Sequence, residues 1–216
     1  MKLCASLLAA NHAFIGQSLE RCEKEGIGIF HFDVSDGHYT KYIMFGPQLI
    51  DNLRSISNSY FDVHLNNYNV EPILETFLET TANRISLQYA TSKEQLDYLI
   101  NKIRLKERDV SVSFTPLEGF ETIIKHVEKL DAVNLLAVNA GIGGQSIQKE
   151  VLKKVEKVAS FIANNNLKTI VSVDGGINKD TIKWVKDAGA DLAIVGSGIF
   201  CGSIKDNIRT LKKMIE

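Results

Sequence analysis

The stretch IGIFHFDVSDGH, residues 27–38, joins a short apolar run to a cluster of titratable side chains. The apolar run is typical of a buried strand. Alternate side chains of a strand point to the same face, so His31 and Asp33 are expected to point the same way. Two side chains of these types on one face suit a pair of metal ligands. The simpler interpretation is that the strand ends here in a polar turn around Asp36 and Gly37.

Seven other short apolar runs resemble this one, and longer amphipathic stretches separate them. Strands are predicted at 2–7, 27–33, 60–65, 84–88, 109–114, 132–138, 168–173 and 191–195. Eight strands alternating with helices, without a linker, predict an α/β protein in which residues 1–216 form one (β/α)8 TIM barrel domain. The main alternative is a doubly wound open sheet, which more often has a glycine-rich turn after its first strand. Here that turn reads Ala-Ala-Asn-His.

Two helix patterns are clear. Apolar residues recur at helical spacing over 147–164, with lysines off the apolar stripe, and Ser146 is the predicted N-cap. A second helix is predicted over 118–129.

The composition is that of an ordinary globular protein, with 44% hydrophobic and 24% charged residues. The net charge is −1 and no basic stripe is present, so nucleic acid is not an expected partner. No membrane contact is expected, since no segment has the roughly 18–20 apolar residues of a membrane span. Residues 1–9 suit a first strand better than a signal peptide. Cys4, Cys22 and Cys201 suggest neither a disulfide framework nor a thiolate zinc site, and we expect a cytoplasmic protein.

Other predicted strands also end in potential metal ligands. The third strand ends with His64 and the seventh is followed by Asp174. Because the carboxyl ends of barrel strands meet at one face, these residues are expected to converge with His31 and Asp33. Two imidazoles and two carboxylates suit one divalent ion such as zinc, iron, manganese or cobalt.

Glycines follow the sixth, seventh and eighth strands, in segments 139–145, 175–176 and 196–198. Backbone N–H groups exposed by such loops bind phosphate in this architecture, although tight turns alone would also use glycine. We therefore expect a small phosphorylated ligand.

The motifs SLLAANHA, HFDVSDGH, FGP, DVHL, VNAGIGGQS, VDGGIN and VGSGIF occur in this order, and together they resemble those of the ribulose-phosphate 3-epimerase family. The similarity spans nearly the whole chain. It implies a ribulose-phosphate-binding barrel that inverts carbon 3 of a small phosphorylated ketose, such as D-ribulose 5-phosphate to D-xylulose 5-phosphate. It also implies an isomerase of carbohydrate metabolism, which we expect to be a homo-oligomer.

The resemblance assigns roles by position. It implies that one divalent ion is held by His31, Asp33, His64 and Asp174, and that Asp33 and Asp174 are the acid/base pair. The implied substrate and phosphate contacts are Ser6, His64, Gly141, Ile142, Gly143, Gly144, Gly175, Gly176, Gly196 and Ser197.

This set of residues fits the chemistry of epimerisation. A proton next to a ketone is too weakly acidic for an aspartate unless the enediolate is stabilised, and a metal ion that binds the two oxygens supplies that stabilisation. Inversion also needs a base on one face and an acid on the other.

The sequence departs from the family pattern around the metal. Family members usually carry methionines where this chain has Ser35, Asn66 and Ala137, and a histidine where it has Gln88. These changes predict that the substrate is a different ketose phosphate, for example allulose 6-phosphate.

Two other classes of protein fit the sequence less well. A barrel decarboxylase or aldolase would carry an Asp-x-Lys-x-x-Asp cluster or a Schiff-base lysine, which the strand-two and strand-three ends lack. A non-catalytic sugar-phosphate-binding or scaffold protein would have no need of all four ligand-type residues.

Overall fold

The computed structural model describes residues 1–139 and 144–216, and within these residues nine strands form one sheet. The strands are β1 (Lys2–Ser6), β2 (Ile29–Asp36), β3 (Ile43–Met44), β4 (Tyr60–Asn66), β5 (Arg84–Gln88), β6 (Asp109–Phe114), β7 (Ala132–Leu136), β8 (Ile170–Asp174) and β9 (Leu192–Val195). All eight predicted strands are present, and β3 is additional.

The sheet closes on itself. Its strand order is β1-β9-β8-β7-β6-β5-β4-β2-β3, and β1 pairs in parallel with both β9 and β2, with Ser6 opposite His31. The eight predicted strands are all parallel in this sheet, whereas β3 lies outside the closed circle and pairs antiparallel with β2. The structure therefore confirms the (β/α)8 TIM barrel and excludes the doubly wound open sheet.

Helices follow the strands and cover the outside of the barrel. They are α1 (Ile15–Lys24), α2 (Pro47–Arg54), α3 (Val70–Leu78), α4 (Tyr89–Ser92), α5 (Leu96–Leu105), α6 (Phe120–Val127), α7 (Lys149–Asn164), α8 (Ile182–Asp187), α9 (Ser197–Phe200) and α10 (Ile204–Ile215). Across the described parts of the chain, none of the helices has the length and apolar character needed to span a membrane.

The predicted N-cap at Ser146 is wrong, because α7 begins at Lys149 with Gln148 in the N-cap position. The backbone N–H of Gln148 donates to the carbonyl of Ala137 at 2.8 Å. This bond holds Gln148 against the residue that follows β7, and the helix therefore begins only at Lys149.

Strand β2 is longer than predicted, since it continues to Asp36. Its last residues pair with β3, with Ser35 opposite Met44. The backbone then turns at Gly37, whose φ is +78°, and the Asp36 carboxylate accepts a hydrogen bond from the N–H of His38 at 3.0 Å. The polar turn therefore exists, but it lies beyond His31 and Asp33, which sit inside the strand.

The apolar core lies between the strands and the helices. Phe30, Phe32 and Phe61 are fully buried there and pack edge to face, with centroids of Phe32 and Phe61 5.1 Å apart. Their neighbours along the strands point into the barrel and are mostly polar. Several form a hydrogen-bonded ladder across β5 to β8, made of Ser86, Ser113, Asn134 and Ser172. This polar interior distinguishes the protein from barrels filled with layers of Val, Ile and Leu.

Candidate metal and sugar-phosphate site

The structure brings four side chains together at the carboxyl end of the barrel. His31 and Asp33 alternate on β2, and parallel pairing with β4 places His64 opposite Asp33. Asp174 ends β8 on another part of the barrel. One potential ligand atom from each of the four lies within 4.8 Å of all the others. A single divalent ion has the right size to contact all four atoms.

The orientation of His31 supports this interpretation. Its Nδ1 lies 2.8 Å from an oxygen of Asp62, so Nδ1 carries the proton and donates it. The other ring nitrogen, Nε2, is buried and has no hydrogen-bond partner among the described residues. It faces Asp33 Oδ1 at 3.5 Å and Asp174 Oδ2 at 3.9 Å. Burial lowers the pKa of His31, but the charges of Asp33 and Asp62 outweigh burial and hold that pKa well above its usual range. Without an ion Nε2 therefore carries a proton toward the two carboxylates, and a bound cation would take the place of that proton. A histidine held by a carboxylate is typical of metal sites.

Asp62 is itself held by Arg84. The guanidinium donates from Nε and Nη2 to the two carboxylate oxygens at 2.8 and 2.9 Å, and both side chains are buried. Burial raises the pKa of Asp62, but the charge of Arg84 outweighs this and holds that pKa well below its usual range. Asp62 is therefore ionised and stays an acceptor for His31. Sequence reasoning missed both residues, although Asp62 stands two positions before His64 and so shares its face of the strand.

His64 is oriented by Gln88. The Nε2 of His64 lies 3.1 Å from Gln88 Oε1, so Nε2 donates and Nδ1 keeps its lone pair. This Nδ1 faces Asp33 Oδ1 at 3.3 Å. Gln88, which stands where the family usually has a histidine, therefore fixes the tautomer of a potential ligand. The donor atoms of both histidines and the two carboxylates fit a divalent ion.

The two carboxylates of the cluster differ in electrostatic environment. Burial raises the pKa of Asp33, but the neighbouring His31 and His64 outweigh it and hold that pKa below its usual range. Burial and then the charge of Asp33 raise the pKa of Asp174 above its usual range. Asp33 is therefore held in the ionised form, whereas Asp174 takes up a proton more readily than an ordinary aspartate does.

A cavity of about 560 Å³ opens above the cluster, which is a size typical of small-molecule sites. Asp33, His64 and Asp174 line its floor together with Ser6, whose hydroxyl donates to Asp33 Oδ2 at 3.4 Å. The wall also includes Tyr42 and Met44, which the sequence analysis did not identify. Their positions depend on the pairing of β3 with β2.

Glycine residues from the loops also line the cavity. Of the predicted phosphate contacts, the structure places Gly144, Gly175, Gly176, Gly196 and Ser197 on the wall. Side chains are excluded at two of these positions. A Cβ at Gly175 would lie 2.3 Å from Val138 Cγ2, and one at Gly176 would lie 2.4 Å from the nitrogen of Ile147. The other three predicted contacts, Gly141, Ile142 and Gly143, lie outside the described residues.

The departures from the family pattern are not equivalent in the structure. Asn66 lines the cavity. Ser35 is buried and its hydroxyl is hydrogen-bonded to Thr40, while Ala137 is fully buried in the apolar core. Among the three positions, Asn66 therefore changes the chemistry of the cavity wall most directly.

Comparisons with known proteins agree with this geometry. Residues 2–200 match the ribulose-phosphate 3 epimerase family. The ribulose-phosphate 3-epimerase of Bacillus subtilis (strain 168) is 32% identical over 202 residues, which are 93% of this chain and 92% of that protein. The enzyme of the same name from Escherichia coli (strain K12) is 30% identical over 199 residues, which are 92% and 88% of the two chains.

Solved structures share the fold at lower sequence identity. KGPDC from Streptococcus mutans matches with a TM-score of 0.73 and 14% identity, covering 99% of this chain and 96% of the other. A 3-hexulose-6-phosphate synthase matches with a TM-score of 0.73 and 16% identity, covering 100% of both chains. These two likenesses concern the fold alone. The sequence matches, which extend over nearly the whole chain, go further: this chain belongs to the ribulose-phosphate 3-epimerase family, a family of isomerases.

Proposed function

We propose that the protein is a metal-dependent 3-epimerase of a ketose phosphate, converting D-ribulose 5-phosphate to D-xylulose 5-phosphate or acting on a related sugar. The observation that carries the proposal is the position of two carboxylates, Asp33 and Asp174, on different strands at the floor of one cavity. Membership of the family supports the same activity.

The proposed metal ligands are His31, Asp33, His64 and Asp174. Zinc, iron, manganese and cobalt all suit two imidazoles and two carboxylates. When bound, the ion supplies positive charge that stabilises the negative charge developing on substrate oxygens. The tautomers of the two histidines leave His31 Nε2 and His64 Nδ1 free for this role.

Asp33 and Asp174 perform the proton transfers. One carboxylate removes the proton from carbon 3, and the other delivers a proton to the opposite face of the same carbon. Their roles exchange in the reverse reaction, because both sugars must be able to react. Ser6 donates to Asp33 and so limits the positions that this carboxylate can take.

The phosphate of the substrate is bound by the glycine loops. Gly175, Gly176, Gly196 and Ser197 line the cavity, and none of them has a long side chain. Backbone N–H groups are donors of fixed position, and they suit a phosphate group. This contact would hold the sugar at one end while its carbons 2 and 3 lie over the cluster.

Hydrogen exchange with solvent tests the proposal. The protein, loaded in turn with Mn²⁺, Co²⁺, Zn²⁺ and Fe²⁺, is incubated in D₂O with D-ribulose 5-phosphate and with four- and six-carbon ketose phosphates. We expect deuterium at carbon 3 and formation of the epimer, both measured by NMR. In Asp174→Asn the exchange should fall. In the control variant Asp97→Asn it should not, because Asp97 is a surface residue paired with Lys129. If no ketose phosphate exchanges its carbon-3 proton with any of the four ions, the epimerase proposal is wrong. Tight sugar-phosphate binding without exchange would favour the non-catalytic alternative.

A further inference from the structure

Asn66 occupies an unusual place beside the metal cluster. It is the last residue of β4 and only 2% exposed, and it lines the cavity. Its Nδ2 lies 3.1 Å from His64 Nδ1 and 3.2 Å from Asp33 Oδ1, two of the atoms proposed to bind the ion. Its Oδ1 is buried and has no hydrogen-bond partner within the described ranges. The amide end of Asn66 is therefore inside the group of ligand atoms rather than next to it.

These distances are the ones that ligands of one ion show. Two ligand atoms at right angles, each about 2.1 Å from the same ion, lie about 3.0 Å apart. The separations of Asn66 Nδ2 from His64 and Asp33 are close to this value. They are also similar to the 3.3 Å between His64 Nδ1 and Asp33 Oδ1. The terminal atom of Asn66 thus occupies the position of a neighbouring ligand.

The chemistry of the amide decides which atom can fill that position. An amide nitrogen is a hydrogen-bond donor, so in the present orientation it satisfies two acceptors. An amide oxygen is a good ligand for a divalent ion. A half-turn about the last side-chain torsion exchanges the two atoms without moving the backbone, and this torsion is broad and twofold. The exchange leaves one amide atom without a partner, as the present orientation already does.

We propose that Asn66 is a further protein ligand of the divalent ion, bound through Oδ1. When the ion is absent, its Nδ2 instead donates hydrogen bonds to Asp33 Oδ1 and His64 Nδ1. This inference rests on the proposed metal site. The full set is then two imidazole nitrogens and three oxygens. Five protein ligands suit ions that accept six ligands, such as Mn²⁺, whereas Zn²⁺ is most often bound by four. Asn66 therefore biases the site toward Mn²⁺ and away from Zn²⁺.

Metal affinity tests this inference without reference to activity. The full-length protein is freed of metal with a chelator and titrated with Mn²⁺ and with Zn²⁺ against a coloured competing chelator. Asn66→Leu removes the amide while keeping similar volume, and Asn66→Asp keeps an oxygen in the same place. Asn67→Leu is the matched control, because Asn67 is equally buried but does not line the cavity. Thermal melts show which variants are folded.

We expect Asn66→Leu to weaken Mn²⁺ binding by about tenfold or more and to weaken Zn²⁺ binding by less. Asn66→Asp should retain Mn²⁺ binding, and it decides the question if the leucine variant does not fold. Co²⁺ absorption gives a second measurement, since the bands of Asn66→Leu should become more intense as the number of ligands falls. Unchanged or tighter Mn²⁺ binding by Asn66→Leu would overturn the inference while leaving the four-ligand site in place. Failure of the unaltered protein to bind either ion would instead overturn the metal site and this inference with it.

Discussion

The buried ion pair between Arg84 and Asp62 should contribute strongly to stability. Arg84→Met removes two hydrogen bonds of 2.8 and 2.9 Å and leaves an ionised carboxylate that is only 2% exposed. Removing one partner of a buried pair typically costs about 3–5 kcal/mol, because the remaining charge stays desolvated without compensation. His31 Nδ1 still donates to Asp62, but this is only one of the three hydrogen bonds that the carboxylate accepts with Arg84 in place.

This cost should be visible in thermal unfolding followed by circular dichroism. In a chain of this length, 1 kcal/mol corresponds to roughly 2–4 °C in Tm, so Arg84→Met should lower Tm by about 6–20 °C. Arg104→Met is the matched control. Arg104 is paired with Asp131 at 2.8 Å, but these side chains are 43% and 36% exposed. Such surface pairs contribute about 0–1 kcal/mol, so the control should shift Tm by no more than about 4 °C.

A double variant separates the effect of charge from the effect of lost packing. In Asp62→Asn/Arg84→Met the buried charge is gone, while the amide oxygen can still accept from His31. We expect it to regain at least half of the stability lost by Arg84→Met. The reasoning is refuted if Arg84→Met and Arg104→Met shift Tm equally, or if the double variant is less stable than Arg84→Met alone.

Three further changes test other parts of the site. Asp174→Asn should reduce turnover by about 10²- to 10⁴-fold, as expected for a general acid/base group, and carbon-3 deuterium exchange should fall with it. His64→Ala should weaken metal binding by about tenfold or more in a chelator competition titration, and unchanged metal content would exclude His64 as a ligand. Gly176→Ala should raise KM for the sugar phosphate more than it lowers kcat, because the added Cβ meets backbone at 2.4 Å where φ is +69°. Gly28→Ala, where a Cβ has no neighbour within 4 Å, should leave KM unchanged.

The barrel could be predicted from the sequence because its signals are local. Each strand has an apolar run of its own, and the eight runs alternate with helical patterns. Errors arose where pairing with a neighbouring segment, rather than the pattern of the segment itself, decides the structure. Strand β2 extends to Asp36 because it pairs with β3, which has only two residues and therefore no pattern of its own. Helix α7 starts at Lys149 rather than at 147 because of the bond between Gln148 and Ala137.

The convergence of His31, Asp33, His64 and Asp174 could be predicted because alternation on a strand and the meeting of strand ends are general properties of parallel barrels. The residues that hold His31 in place could not be found in the same way. Asp62 and Arg84 lie near the starts of their strands rather than at the ends. A signal was nevertheless present in the sequence RISLQ, where polar residues occupy every second position of a strand. Such a pattern in a parallel barrel indicates that the interior is polar.

The polar interior follows from what the two histidines need. To bind an ion, each must keep one ring nitrogen protonated and offer the lone pair of the other, and the protonated Nδ1 of His31 needs a buried acceptor. A buried carboxylate such as Asp62 is stable only with a buried cation, which Arg84 supplies. These supports belong to strands, whereas the glycine wall belongs to loops at the carboxyl end. Substitutions in these loops can therefore change what the cavity accepts while the tautomers of His31 and His64 stay fixed. This separation allows the cluster of His31, Asp33, His64 and Asp174 to keep its geometry while the loops around the cavity change.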